Sequence, residues 1–132
     1  MARKTVKDMA ATCPCGGSSF HACCGRYIED GLPAPTALAL MRSRYSAFVT
    51  GNEDYLRETW LAKNRPSGTI IEKKDPIKWV GLKVLNHQEL GDRATVEFIA
   101  SYKKNGRMMK LHENSLFIKE DDRWYYVDGT FF

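Results

Sequence analysis

The sequence predicts an α+β fold: an amino-terminal cysteine knuckle, then helices packed on one face of a curved, mainly antiparallel sheet. Three observations carry that prediction. All four cysteines fall between positions 13 and 24. From Thr36 to Trp60 apolar residues recur at helical spacing. From Trp79 onward the period changes to two, broken by tight-turn sequences. A chain of 132 residues is long enough for one core of ordinary size with a small appendage.

The knuckle comes first. Cys13-Pro14-Cys15 is followed, after seven intervening residues, by Cys23-Cys24. A disulfide arrangement needs an oxidising compartment, and only cross-pairs such as Cys13–Cys23 avoid strained rings. Metal ligation fits better: two thiolate pairs on a short loop can close a tetrahedral shell with metal–sulfur bonds near 2.3 Å. Gly16 and Gly17 let the chain turn after the first pair, and Pro14 fixes φ between its ligands. Four sulfurs leave no open position, so one structural Zn2+ is expected. His21, two residues before Cys23, is the alternative fourth ligand.

Residues 25–35 contain RYIEDGLPAP, rich in Gly and Pro, and read as a linker or an extended lead-in. This places the knuckle and linker at 1–32 and the main fold at 33–132. Thr36 is the N-cap of a helix whose apolar positions are Ala37, Leu38, Met41, Tyr45, Phe48 and Val49, stopped by Gly51. Arg44 falls inside its apolar half, an unusual place for a cation. Asn52 caps a second helix with Glu53 and Asp54 at its positive end; Tyr55, Leu56, Thr59 and Trp60 form its buried face, and it ends before Pro66.

Four strands follow. Trp79–Asn86 is apolar-rich and is turned by Gly91-Asp92. Thr95–Lys103 alternates, with Val96, Phe98, Ala100 and Tyr102 on one face. Asn105-Gly106 is a type I′ hairpin signal. Met109–Lys119 is next, and Asp121-Asp122 leads into Trp124–Asp128.

Composition narrows the function classes. Hydrophobic residues make up 43% and charged residues 27%, a globular rather than a disordered balance. No run approaches the ~18 apolar residues of a membrane span, and no apolar stretch follows the basic amino terminus, so a cytoplasmic protein with no membrane partner is expected. The net charge of +4 is dispersed: Lys103, Lys104, Arg107 and Lys110 bracket a turn, and Lys73, Lys74 and Lys78 are broken by Glu72 and Asp75. Nucleic-acid affinity of this kind is weak and salt-sensitive.

CPCGGSSFHACCG at 13–25 resembles the SEC-C motif, the zinc knuckle named after the tail of SecA, with a spacer one residue shorter than the common eight. The helix–meander order is similar to the cystatin-like cone of the nuclear transport factor two-like (NTF2-like) superfamily. MRSRYSAFVTGNEDYLRETW at 41–60, WVGLKVL at 79–85, VEFIASY at 96–102, GRMMKLHENSLF at 106–117 and RWYYVDG at 123–129 resemble the YchJ family, bacterial proteins that join such a knuckle to such a cone. Many members carry a second, carboxy-terminal knuckle; none is expected here. The resemblance implies zinc at Cys13, Cys15, Cys23 and Cys24. It also implies a protein or ribosome-associated partner, with Phe20, His21, Arg26 and Tyr27 as candidate contact residues.

No phosphate-binding loop, nucleophile elbow or metalloprotease motif is present. Met109, Leu111, Glu113, Ser115 and Phe117 share a strand face that His112 leaves. A Glu among apolar neighbours needs a partner, and Arg44 is the natural one. The candidate cavity is lined by Arg44, Tyr45, Trp60, Trp79, Phe98, Tyr102, Glu113 and Ser115, and isomerase- or hydrolase-like use of it is the alternative function. Tyr125 and Val127, pointing opposite Trp124 and Tyr126, are expected to form an exposed face open to sheet-to-sheet homodimers.

Overall fold

The computed structural model of the chain describes residues 12–74 and 76–132. The amino-terminal segment read for a signal, and Asp75, lie outside the described residues. The elements are α1 (Gly25–Ile28), α2 (Ala37–Thr50), α3 (Glu53–Glu58), a 3-10 turn at Ala62–Asn64, β1 (Lys78–Leu90), β2 (Arg93–Lys104), β3 (Arg107–Glu120) and β4 (Arg123–Phe131). The strands form one antiparallel meander in the order β1-β2-β3-β4.

Local chemistry sets the boundaries. Thr36 accepts a hydrogen bond from Ala39 N at 3.0 Å, and Glu89, reaching across from β1, accepts from Ala37 N at 3.2 Å, so two free amides of α2 are satisfied. Gly51 ends α2 in the left-handed region at φ 77°, a conformation costly for any residue with a Cβ. Asn52 caps α3 through Tyr55 N at 3.0 Å. That helix stops at Glu58, well short of Pro66, because the chain turns to pair with β4: Leu61 N donates to Tyr126 O and Tyr126 N to Thr59 O, both at 2.8 Å. This contact covers part of the free edge of β4.

The β2–β3 hairpin closes on Asn105-Gly106, both at positive φ as a type I′ turn requires. Asp121 and Asp122, also at positive φ, make the equivalent turn before β4.

Three bulges shift the alternation. In β1 the register slips at Trp79/Gly81 and Val84/Asn86, leaving Val80 and Leu85 as extra residues, 44% and 41% exposed. Extra residues of this kind bend a strand and curl its sheet. In β4 Leu116 pairs with Asp128 but Phe117 with Tyr126, so Val127 is the extra residue. It is 7% exposed rather than outward-facing as simple alternation predicts, and Tyr125, half-buried, keeps the outer position. Beyond the bulge the phase is reversed, and Gly129 and Phe131 stand opposite the inward-facing Ser115 and Glu113.

α2 lies across β1, β2 and β4 on the inner face of the sheet. The core is continuous from Cys13, Cys15 and Cys24 through Tyr27 and Ala34 to Leu40, Leu56, Val96 and Phe117. The stretch that reads as a linker is therefore partly structured. It opens with α1, and Tyr27, at 7% exposure, belongs to the core instead of a contact rim.

Leu56 is fully buried, so Leu56→Ala is expected to cost about 2–5 kcal/mol of stability in chemical denaturation. A loss below about 1 kcal/mol would contradict this packing.

Candidate functional site

The cysteine segment is a tight loop. Thr12 and Ser19 form an antiparallel bridge, and Cys13 N donates to Ser18 O at 2.7 Å. Gly16, at φ +93°, turns the chain after the first pair, and a Cβ on Gly17 would stand 2.8 Å from Cys23 Sγ. The second pair enters from the other side, with Cys24 immediately before α1. All four Sγ atoms lie within 4.8 Å of one another. Cys15 and Cys23 Sγ are 3.6 Å apart, against an edge of about 3.8 Å for a tetrahedron with 2.3 Å metal–sulfur bonds. A disulfide needs about 2.05 Å, and all four cysteines are free. His21 is exposed and outside the cluster, so the geometry brings together four sulfurs rather than three and an imidazole.

The electrostatics of the cluster call for a cation. Burial, then the hydrogen bond and charge of Cys15, drives the Cys23 thiol up to about 11. Cys24 is pushed up by its hydrogen bond to Cys13, while Cys13, hydrogen-bonded by Cys15 and Cys24, is held far below the ordinary thiol range. A soft divalent ion suits thiols crowded in this way, because it binds thiolates and displaces their protons. Cys13, Cys15 and Cys24 are at most 2% exposed. α2 backs the loop: Ser46 Oγ lies 3.5 Å from Cys13 Sγ, and Arg42 Nη1 donates to Cys15 O at 3.2 Å. Such outer contacts orient ligands. The residues fit a closed, structural metal centre with no position for substrate.

The second constellation lies inside the cone, around a cavity of about 270 Å³. Arg44, Tyr45, Trp60, Trp79, Phe98, Glu113 and Ser115 all line it. Tyr102 does not; it pairs with Trp79 across the β1–β2 ladder, and its ring stands 5.3 Å from that of Trp79.

Arg44 and Glu113 are each 6% exposed, but the direct ion pair expected between them is not formed. Arg44 Nη1 donates to Leu56 O and Thr59 Oγ1, both at 2.7 Å, and the guanidinium stands over the rings of Tyr126 at 4.6 Å and Trp60 at 5.3 Å. Glu113 Oε2 accepts from Ser115 Oγ at 2.7 Å and from Tyr126 OH at 2.8 Å. Tyr126 therefore sits between the two charges, its face to the cation and its hydroxyl to the carboxylate. Burial, with Glu113 beside it, pushes the Tyr126 phenol well above its ordinary range, so it remains a donor. Burial pulls Arg44 down to about 10, which leaves it charged at neutral pH.

Sequence reasoning misses Tyr126, Thr59 as the acceptor for Arg44, and Gly129. A Cβ at Gly129 would stand 2.6 Å from Glu113 Cδ, so the carboxylate lies flat on that glycine. An isolated glycine after a strand pattern is the available signal.

Comparisons with known proteins agree with both parts of this architecture. Residues 36–129 match the family model described as the YchJ middle NTF2-like domain. A UPF0225 protein of Chromobacterium violaceum is 48% identical over 131 residues, covering 96% of this chain and 97% of its own. One from Polaromonas naphthalenivorans is 46% identical over 138 residues, covering 94% and 100%. The solution structure of a SEC-C motif containing protein from Rhodopseudomonas palustris superposes with a TM-score of 0.81 at 34% identity, covering 90% of this chain and 97% of that one. The crystal structure of a SEC-C motif containing protein from Psychrobacter arcticus gives 0.72 at 27% identity, covering 92% and 82%.

Because a methyl group at position 17 collides with Cys23 Sγ, Gly17→Ala is expected to weaken metal affinity about tenfold or more in competition with a chromophoric chelator. Unchanged affinity would contradict the loop geometry.

Proposed function

The chain belongs to the YchJ family, and on that premise we propose that Cys13, Cys15, Cys23 and Cys24 bind one structural Zn2+ that staples an interaction module to the NTF2-like cone. The observation that supports this reading is the convergence of four free, mostly buried sulfurs at near-tetrahedral spacing. Zinc has no redox chemistry and no geometric preference beyond what its ligands allow, and it favours an all-sulfur tetrahedral shell in structural sites. Free thiols at such a centre suit a reducing compartment, which favours the cytoplasm.

The metal would fix the loop joining the two ligand pairs and so present its rim. His21 and Arg26 are exposed and Phe20 is half-buried. Arg26 is already held in place: its Nε donates to Cys23 O at 3.0 Å and its guanidinium stacks 4.9 Å from the Tyr27 ring centroid. A rim that pairs a fixed cation with an aromatic suits a protein or ribosome-associated ribonucleoprotein partner. Tyr27 acts here as the platform beneath Arg26 and not as a contact.

Removing the metal with a strong chelator under reducing conditions is expected to lower the melting temperature by several degrees, and adding Zn2+ to restore it. An unshifted transition would contradict the stapling role. Partner capture by the intact protein, compared with His21→Ala/Arg26→Glu, tests the rim. Loss of specific partners from the double variant is expected, and identical partner sets would count against an interaction module.

A further inference from the structure

We infer that the cone cavity is a binding site for a small neutral molecule with a bicyclic apolar body and a head of the carboxamide class, pairing a carbonyl acceptor with an N–H donor. This goes beyond the metal-stapled interaction role and rests on separate residues. The walls are apolar, with Met41, Phe48, Phe98 and Leu111 among them, and the half-buried Trp79 and exposed Phe131 lie on the solvent side. A dry apolar cavity of about 150 Å³ holds benzene; about 270 Å³ therefore suits a fused two-ring body.

The polar end is built rather than incidental. Glu113 is nine-tenths buried, and its carboxylate rests on Gly129, the one residue type that leaves room for it there. Both hydroxyl donors, Ser115 and Tyr126, go to Oε2. Oε1 receives no hydrogen bond from the described residues, and it is not among the sealed polar atoms without a partner. Glu113 lines the cavity, and Oε1 is the carboxylate oxygen that the two hydroxyls leave available to a ligand there. The same holds for the guanidinium: Nη1 makes both of Arg44's hydrogen bonds, and Nε and Nη2 have no acceptor among the described residues and are not sealed. One free acceptor and free N–H donors thus border a single small apolar space.

Charge decides the ligand class. Arg44 and Glu113 cancel, and the aromatic walls offer no further counterion. A ligand bearing net charge would leave one buried charge uncompensated, which costs several kcal/mol in a low dielectric. A neutral amide satisfies both groups: its carbonyl takes an Arg44 N–H, and its N–H goes to Glu113 Oε1.

The test is titration of the zinc-loaded full chain by calorimetry and ligand-observed NMR with 2-naphthamide, 2-naphthoate and 2-naphthylmethylammonium. The expected result is saturable binding of 2-naphthamide with Kd below about 1 mM, at least about tenfold tighter than either ion. In Glu113→Gln the two hydroxyls still need an acceptor, so the side-chain oxygen takes the Oε2 place and the NH2 group turns to the cavity. The site then carries net positive charge and presents donors only, and the order is expected to reverse in favour of 2-naphthoate. The wild-type order decides alone if that variant does not fold. Ions binding as tightly as the amide, no binding of any probe at about 2 mM, or an order unchanged in a folded Glu113→Gln would overturn the inference.

Discussion

Four sulfur atoms within 4.8 Å of one another are the constraint from which the amino-terminal half of this structure follows. A loop this short has no core of its own, and paired thiolates repel unless a cation or protons stand between them. Under the proposed ligation, folding of the segment and capture of the ion would be one event. The glycines serve that convergence directly. Gly16 turns the backbone, and Gly17 makes room for a sulfur. Gly25 leaves space for the Phe20 carbonyl, which a Cβ there would approach to 2.7 Å.

α2 carries the consequence into the cone. Arg42 and Ser46, one turn apart, face the knuckle, while Met41, Arg44, Tyr45 and Phe48 face the cavity. A helix with functional neighbours on two sides buries polar residues as well as apolar ones, and Ser43, Arg44 and Ser46 are all buried. Inside the cone the cost of burying Arg44 and Glu113 is met without a direct ion pair. Backbone and threonine oxygens hold the cation, two hydroxyls hold the carboxylate, and Tyr126 separates them. Each charge thereby keeps part of its hydrogen-bonding capacity free, which a bidentate pair would have consumed.

Much of this is legible in the chain. Cysteine spacing, the Thr36 and Asn52 caps and the Asn105-Gly106 turn are local signals, and each element appears where they place it. The inward position of Arg44 and Glu113 follows from periodicity alone. What periodicity misses is a change of phase. The bulge at Val127 leaves that residue buried and brings Gly129 and Phe131 to the side of Ser115 and Glu113, and nothing in the alternation of Trp124–Asp128 announces it. An Arg44–Glu113 pair follows from the cost of burial, a correct premise that does not specify which partners satisfy each charge. The linker reading holds only in part: residues 29–36 form no helix or strand, but Gly and Pro do not show that Tyr27 and Ala34 pack into the common core.

X-ray absorption at the zinc edge, on protein purified under reducing conditions without chelator, tests the central claim most directly. The account predicts one zinc per chain surrounded by four sulfur scatterers at about 2.3 Å. A shell containing nitrogen or oxygen, or protein that holds no stoichiometric metal while its four thiols remain free, would contradict it.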